Sequence, residues 1–158
     1  EAWTNQSPAN YTSTFLAVAG TANGVTSSGT HELLLGPMLQ VPENISPVDG
    51  GTLDDNYKVS WTVKDGPQPH FSYVEVAVPS MFGPMPEWTM INDYYVTDID
   101  LPPLPEIEGT PGISPGGKLL TVIRAYKEGF DINNYSYLDL NTSQWRSWAL
   151  DRQTFTQE

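Results

Sequence analysis

Gly112-Ile113-Ser114-Pro115-Gly116 has the spacing of a G-x-S-x-G nucleophile elbow, which would offer Ser114 for acyl transfer. That elbow needs a strand before the serine, a helix after it and an oxyanion-hole N–H on the next residue. Here the next residue is Pro115, which has no N–H, and the residues beyond it read as a strand. Ser114 is expected to be a loop residue. The two histidines, His31 and His70, have no spacing to a serine and a carboxylate that would make a triad. They read as a strand residue and a turn residue. Cysteine is absent, which removes thiol nucleophiles, disulfides, zinc–thiolate sites and blue copper together.

Carboxylates gather in two stretches, DGGTLDDN at 49–56 and DIDLPPLPEIE at 98–108. Ca²⁺ takes about six to eight hard oxygen ligands, often from an Asp-rich loop with glycines that let backbone carbonyls converge. Asp49, Asp54, Asp55, Asp98 and Asp100 are the candidate ligands, and Ca²⁺ is the cofactor they would hold. Neither stretch has EF-hand spacing, so solvated acidic loops are the plain alternative. A glycosidase pair would need two carboxylates across a cleft, and a chain of 158 residues rarely builds one.

Aromatic rings are the better-supplied chemistry. Trp3, Trp61, Trp88, Trp145 and Trp148 accompany eight tyrosines, some in tight groups such as Tyr94-Tyr95 and Tyr135/Tyr137. Such rings serve as core, as anchors of a protein interface or as platforms for sugars. Trp61 reads as core. Trp145, Trp148, Tyr135 and Tyr137 are candidate interface residues.

Asn-x-Ser/Thr triplets occur at Asn5, Asn10, Asn44, Asn134 and Asn141. With 27 Ser and Thr and nine Asn in the chain, composition alone would supply roughly 1.5 of them. Five point to N-glycosylation, hence to surface positions and a secreted, extracellular protein. Pro8 and Pro47 directly follow the triplets of Asn5 and Asn44, leaving Asn10, Asn134 and Asn141 as the stronger acceptors. Glycans on Asn134 and Asn141 would crowd a sugar-binding face beside Tyr135–Leu140, which favours protein contact there.

These side chains must be positioned by strands. A chain of this length supports one domain with a real core and no staples. Seven basic and 19 acidic side chains give a formal net charge of −12, which repels nucleic acid and anionic membrane faces. No stretch approaches the roughly 18–20 apolar residues of a membrane span. The clearest strand is YKVSWTV at 57–63, where Tyr57, Val59, Trp61 and Val63 alternate with polar residues. Asp65-Gly66-Pro67 signals a turn and FSYVEVAV at 71–78 the next strand, so the two are expected to form a hairpin. Further strands are expected at 14–19, at 31–35 with Met38–Val41 as its continuation, within 88–99, at 119–126 and at 135–140. Residues 144–155 fit a helix or a closing strand. The stretch 101–117 is too rich in Pro and Gly for a regular element and should be a long exposed loop. No repeat, heptad or internal boundary interrupts the chain. The expected fold is all-β: a single β-sandwich or jelly-roll-like domain over residues 1–158.

One further arrangement stands out. Phe15, Leu16 and Val18 lie in an apolar segment joined to the body by a flexible connector, Gly20 to Gly29, within the N-terminal stretch 1–29. That is the layout of a donor strand completing a neighbour's sheet; an ordinary first strand is the alternative. The leading expectation is a non-catalytic secreted glycoprotein acting through protein–protein contacts. It would be a subunit of an extracellular assembly or filament, or a small accessory subunit of a secreted enzyme. The alternative is a carbohydrate-binding module, calcium-dependent or not.

Overall fold

Strict alternation in Lys58–Thr62 exposes one face of that strand, whereas Phe71–Val78 is covered on both faces. The two therefore belong to different layers. The computed structural model describes residues 2–4, 11–15, 37–54, 57–101, 113–141 and 145–158, the first two stretches as backbone alone. It is an all-β sandwich of two packed sheets. The strands in chain order are β1 (Ala2–Thr4), β2 (Tyr11–Phe15), β3 (Glu43–Ser46), β4 (Gly51–Thr52), β5 (Lys58–Thr62), β6 (Phe71–Val78), β7 (Met85–Asp93), β8 (Asp98–Asp100), β9 (Gly116–Tyr126) and β10 (Ser147–Gln157). The larger sheet runs β1-β2-β10-β9-β6-β7, with β4 adding in parallel to the end of β10; the smaller is β3-β5-β8.

The core lies between the sheets. Val74, Val76, Leu120, Val122 and Phe155 point inward from the larger sheet and meet Ile45, Val59, Trp61 and Ile99 from the smaller one. Burying each large apolar side chain contributes about 1.5–3 kcal/mol. The register Val74↔Val122 and Tyr73↔Ile123 sends alternate residues of β6 and β9 to opposite faces. Phe71, Tyr73, Ile123 and Ala125 consequently face away from the smaller sheet. A second cluster forms there, built on Phe71, Ala125 and Trp145.

Several sequence expectations change. The hairpin of 57–63 with 71–78 does not form: β5 pairs β3 and β8, and β6 pairs β7 and β9. The turn signal does not dictate pairing: β6, apolar at successive positions, sits inside the larger sheet between β7 and β9, while β5 takes the centre of the smaller one. The intervening segment, with Pro67 and Pro69, crosses between layers instead. Residues 135–140 are not a strand; Tyr137–Leu140 is a 3₁₀ turn. The ambiguous 144–155 resolves as strand β10. β7 starts at Met85 and includes Pro86, tolerated because β7 is an edge strand with a register shift opposite Val76/Ala77. The N-terminal strand covers Tyr11–Phe15 rather than starting at Thr14, and it pairs within its own chain, between β1 and β10. The expected strand at 31–35 and most of the 101–117 loop lie outside the described residues; Gly116 and Gly117 already belong to β9.

Candidate functional site

Between β9 and β10 the chain makes an excursion, residues 127–146, that folds back over the outer face of the larger sheet. Phe130, Ile132, Leu140 and Trp145 pack there against Phe71, Tyr73 and Ile123. The rings interlock: Phe71 lies 4.4 Å from Phe130 and 5.4 Å from Trp145, centroid to centroid, and Trp145 lies 6.2 Å from Trp148. Polar contacts fix the excursion's tip. The Ser136 backbone N–H and hydroxyl both donate to Asp139 Oδ2, at 2.8 and 3.0 Å. Lys127 donates to the Asp139 carbonyl at 2.6 Å and sits 3.6 Å from its carboxylate. Those donors, Ser136 first and Lys127 after it, hold the Asp139 carboxyl below its ordinary value.

The 3₁₀ turn so anchored leaves a groove between itself and the sheet. Its volume is about 770 Å³, within the usual range for a small-ligand or side-chain pocket. The sheet contributes Tyr73, Glu75, Ile123, Trp148 and Arg152; the excursion contributes Tyr137, Leu138, Leu140, Asn141 and Trp145. Tyr137 and Leu138 form the rim and are 84% and 81% exposed. Trp145 is buried beneath, its indole N–H without a partner among the described residues. The Tyr73 hydroxyl donates to Glu75 Oε2 at 3.3 Å. Burial, with the Glu75 charge adding to it, raises the Tyr73 phenol above its ordinary value, so the groove keeps a neutral phenol. Arg152 Nε donates to Thr121 Oγ1 at 2.8 Å. Among the described residues the two groove charges, Glu75 and Arg152, form no ion pair with each other.

No protein-family model, curated protein or solved structure matches this chain. The site therefore has to be read from its own geometry. Of the candidate interface residues, Tyr137, Trp145 and Trp148 converge on the groove; Trp145 is floor rather than rim. Tyr135 stands behind it, 5.4 Å from Phe130. Phe15 ends β2, opposite Ala2, and Leu16 and Val18 lie outside the described residues. Sequence reasoning missed Tyr73, Ile123, Leu138 and Arg152. A signal existed for the first two: apolar residues at odd and even positions of 71–78 and 119–126 mean that both sheet faces are covered.

The other candidates are placed separately. Asp49 accepts from the backbone N–H and hydroxyl of Thr154, at 2.8 and 2.7 Å, and those bonds lower its pKa. Asp54 accepts from the Lys58 backbone N–H at 3.2 Å. Asp98 pairs with Lys58 Nζ at 3.1 Å, and Asp100 lies opposite Lys58 in the β5–β8 register. Asp55 lies outside the described residues. Among the described residues no three His, Cys, Asp or Glu side chains come together to hold a metal. Asn44, Asn134 and Asn141 are exposed. The Asn44 amide also donates to Thr62 Oγ1 at 2.9 Å from a left-handed backbone. Asn5 and Asn10 lie outside the described residues. His70 sits at a bend beside Tyr126, its Nδ1 against the Lys127 carbonyl; His31 lies outside the described residues.

Ser114 meets charged partners after all. Its hydroxyl donates to Glu87 Oε1 at 2.5 Å and accepts from Lys118 Nζ at 2.7 Å, with Lys118 and Glu87 paired at 3.2 Å. Strand β9, not a helix, follows it at Gly116. The trio closes the end of the core.

Proposed function

We propose that this chain is a non-catalytic, secreted, N-glycosylated β-sandwich that acts through protein–protein contacts made at the outer-face groove. The observation that carries this reading is the pairing of an apolar rim, Tyr137 and Leu138, with an aromatic floor on a rigid sheet. Aromatic side chains in desolvated pockets supply most of the energy of protein interfaces. Glu75 and Arg152 are occupied by Tyr73 and Thr121, which supports a recognition role over acid–base chemistry. Exposed acceptors at Asn44, Asn134 and Asn141 are compatible with glycosylation.

Ring geometry weighs against the carbohydrate-binding alternative. A sugar platform wants exposed coplanar rings, whereas Trp145 and Trp148 are inclined at 71° and Tyr73 and Trp145 at 64°. Asn141, a glycosylation candidate, also lines the groove. The test is a photo-crosslinking phenylalanine analogue at position 137 in natively secreted protein, with glycan mapping of the same material. Polypeptide adducts are expected, together with occupied asparagines. Oligosaccharide adducts, or none, would overturn the protein-contact reading, and bare asparagines would overturn the glycoprotein reading.

A further inference from the structure

Among the described residues three cations are buried: Lys118, Lys127 and Arg124. A buried charge is tolerated when it is paired and hydrogen-bonded. Lys118 pairs with Glu87 at 3.2 Å and Lys127 with Asp139 at 3.6 Å. Arg124 has no such carboxylate; burial alone acts on its guanidinium. Asp151, on the same face of β10, feels the charge of Asp49 and not that of Arg124. Nη1 of Arg124 donates to the Gln40 carbonyl, while its Nε–H has no partner among the described residues.

Two neighbours share that condition. Strands β7, β6 and β9 place Asn92, Ser72 and Arg124 side by side in one cross-strand row. The row faces inward, as Met90, Val74 and Val122 do in the next row. Neighbours in such a row stand about 4.5–5.5 Å apart at Cβ. The Ser72 hydroxyl and the Asn92 amide nitrogen are buried and, among the described residues, also without partners. All three groups can donate hydrogen bonds, and unpaired donors gathered in an interior call for an acceptor. The segment carrying Gln40 closes over Arg124, with Leu39 and Pro42 of that segment buried as well.

We propose that this row binds a small monovalent anion, a halide such as chloride, between the Arg124 Nε–H, the Ser72 hydroxyl and the Asn92 amide. The ion does for Arg124 what Glu87 and Asp139 do for the two lysines, and it gives three donors a common acceptor. Water would serve the donors but carries no charge to set against the guanidinium. A tetrahedral oxyanion brings more acceptors than three donors can satisfy. Occupancy stabilises the folded chain, as any ligand of the native state does. At a formal net charge of −12 the surface repels anions, so a halide effect at fixed ionic strength reports a specific site.

The test unfolds the full chain with urea at fixed pH and ionic strength while sodium gluconate, too bulky for the row, is replaced stepwise by sodium bromide. Wild type is expected to gain stability over Arg124→Met along a saturating curve, the variant cancelling the general effect of the salt. In gluconate alone the charge is uncompensated, and Arg124→Met loses nothing by its removal. Ser72→Ala, which keeps the guanidinium, should raise the half-saturating bromide concentration about tenfold. Wild-type crystals soaked in bromide should show an anomalous scattering peak beside Arg124 Nε and Ser72 Oγ. Equal bromide responses in wild type and both variants overturn the inference. So does density at the row without anomalous signal, which is water, and so do anomalous peaks at the surface alone, which are an adventitious ion only.

Discussion

Two buried cations test how single residues are held. Lys118 is 2% exposed and depends on Glu87 and Ser114 for its compensation. Glu87→Gln strands that ammonium and should cost about 3 kcal/mol in urea unfolding; Lys118→Met combined with Glu87→Gln should recover most of it. A double variant as unstable as Glu87→Gln alone would contradict this account. Arg124 is the opposite case. It is 6% exposed on the inner face; its Nη1 donates to the Gln40 carbonyl at 2.8 Å, but among the described residues its Nε has no partner and it forms no ion pair. Burial lowers its pKa, yet a guanidinium stays charged at neutral pH. Arg124→Met is expected to leave stability unchanged or raise it by about 1–3 kcal/mol. A loss of similar size would mean that the Gln40 bond outweighs the buried charge.

At the scale of elements, the excursion between β9 and β10 forms one wall of the groove, and its anchor titrates. Asp139 has a lowered folded pKa, so the stability it adds is fully present above its unfolded value of 3.8 and is lost as pH falls through the folded value. Asp49, which ties the segment leading into β4 to β10, behaves the same way. Asp151 runs oppositely: burial raises its pKa, so its contribution is largest in acid and is lost as pH rises from 3.8 through the raised value. Tryptophan emission from Trp145 and Trp148 should therefore report loosening of the excursion below about pH 3.8, ahead of global unfolding. Asp139→Asn should show that loosened signal already at neutral pH. Emission identical to wild type would remove Asp139 from the anchor. Phe71→Ala, which cuts the ring contacts beneath the excursion, should cost about 3–5 kcal/mol and release the same signal.

For the whole molecule, net charge sets the response to salt. At a formal −12, added salt should raise stability against urea, since screening weakens repulsion among the acidic side chains; stability that falls with salt would make the ion pairs the larger contribution. A glycan on Asn141 would stand at the groove, which Asn141 lines. Polypeptide adducts at position 137 are expected to be fewer in glycosylated protein than in its Asn141→Gln variant; equal yields would place that glycan away from the groove.

Period-two patterning in 57–63, β-branched density in 119–126 and the absence of helical periodicity settled an all-β sandwich from the sequence alone, because alternation and burial are local properties of a strand. Ser114 could likewise be refused as a nucleophile on the chemistry of Pro115. Tertiary structure decided which strands share a sheet, because pairing depends on what covers each face and not on order along the chain. That is why β5 and β6 part company despite the turn between them. It also decided that Tyr73, Ile123, Tyr137 and Trp148, drawn from four separate segments, line one groove. Convergence of residues distant in sequence is set by registry and layer packing, and only the folded chain contains it.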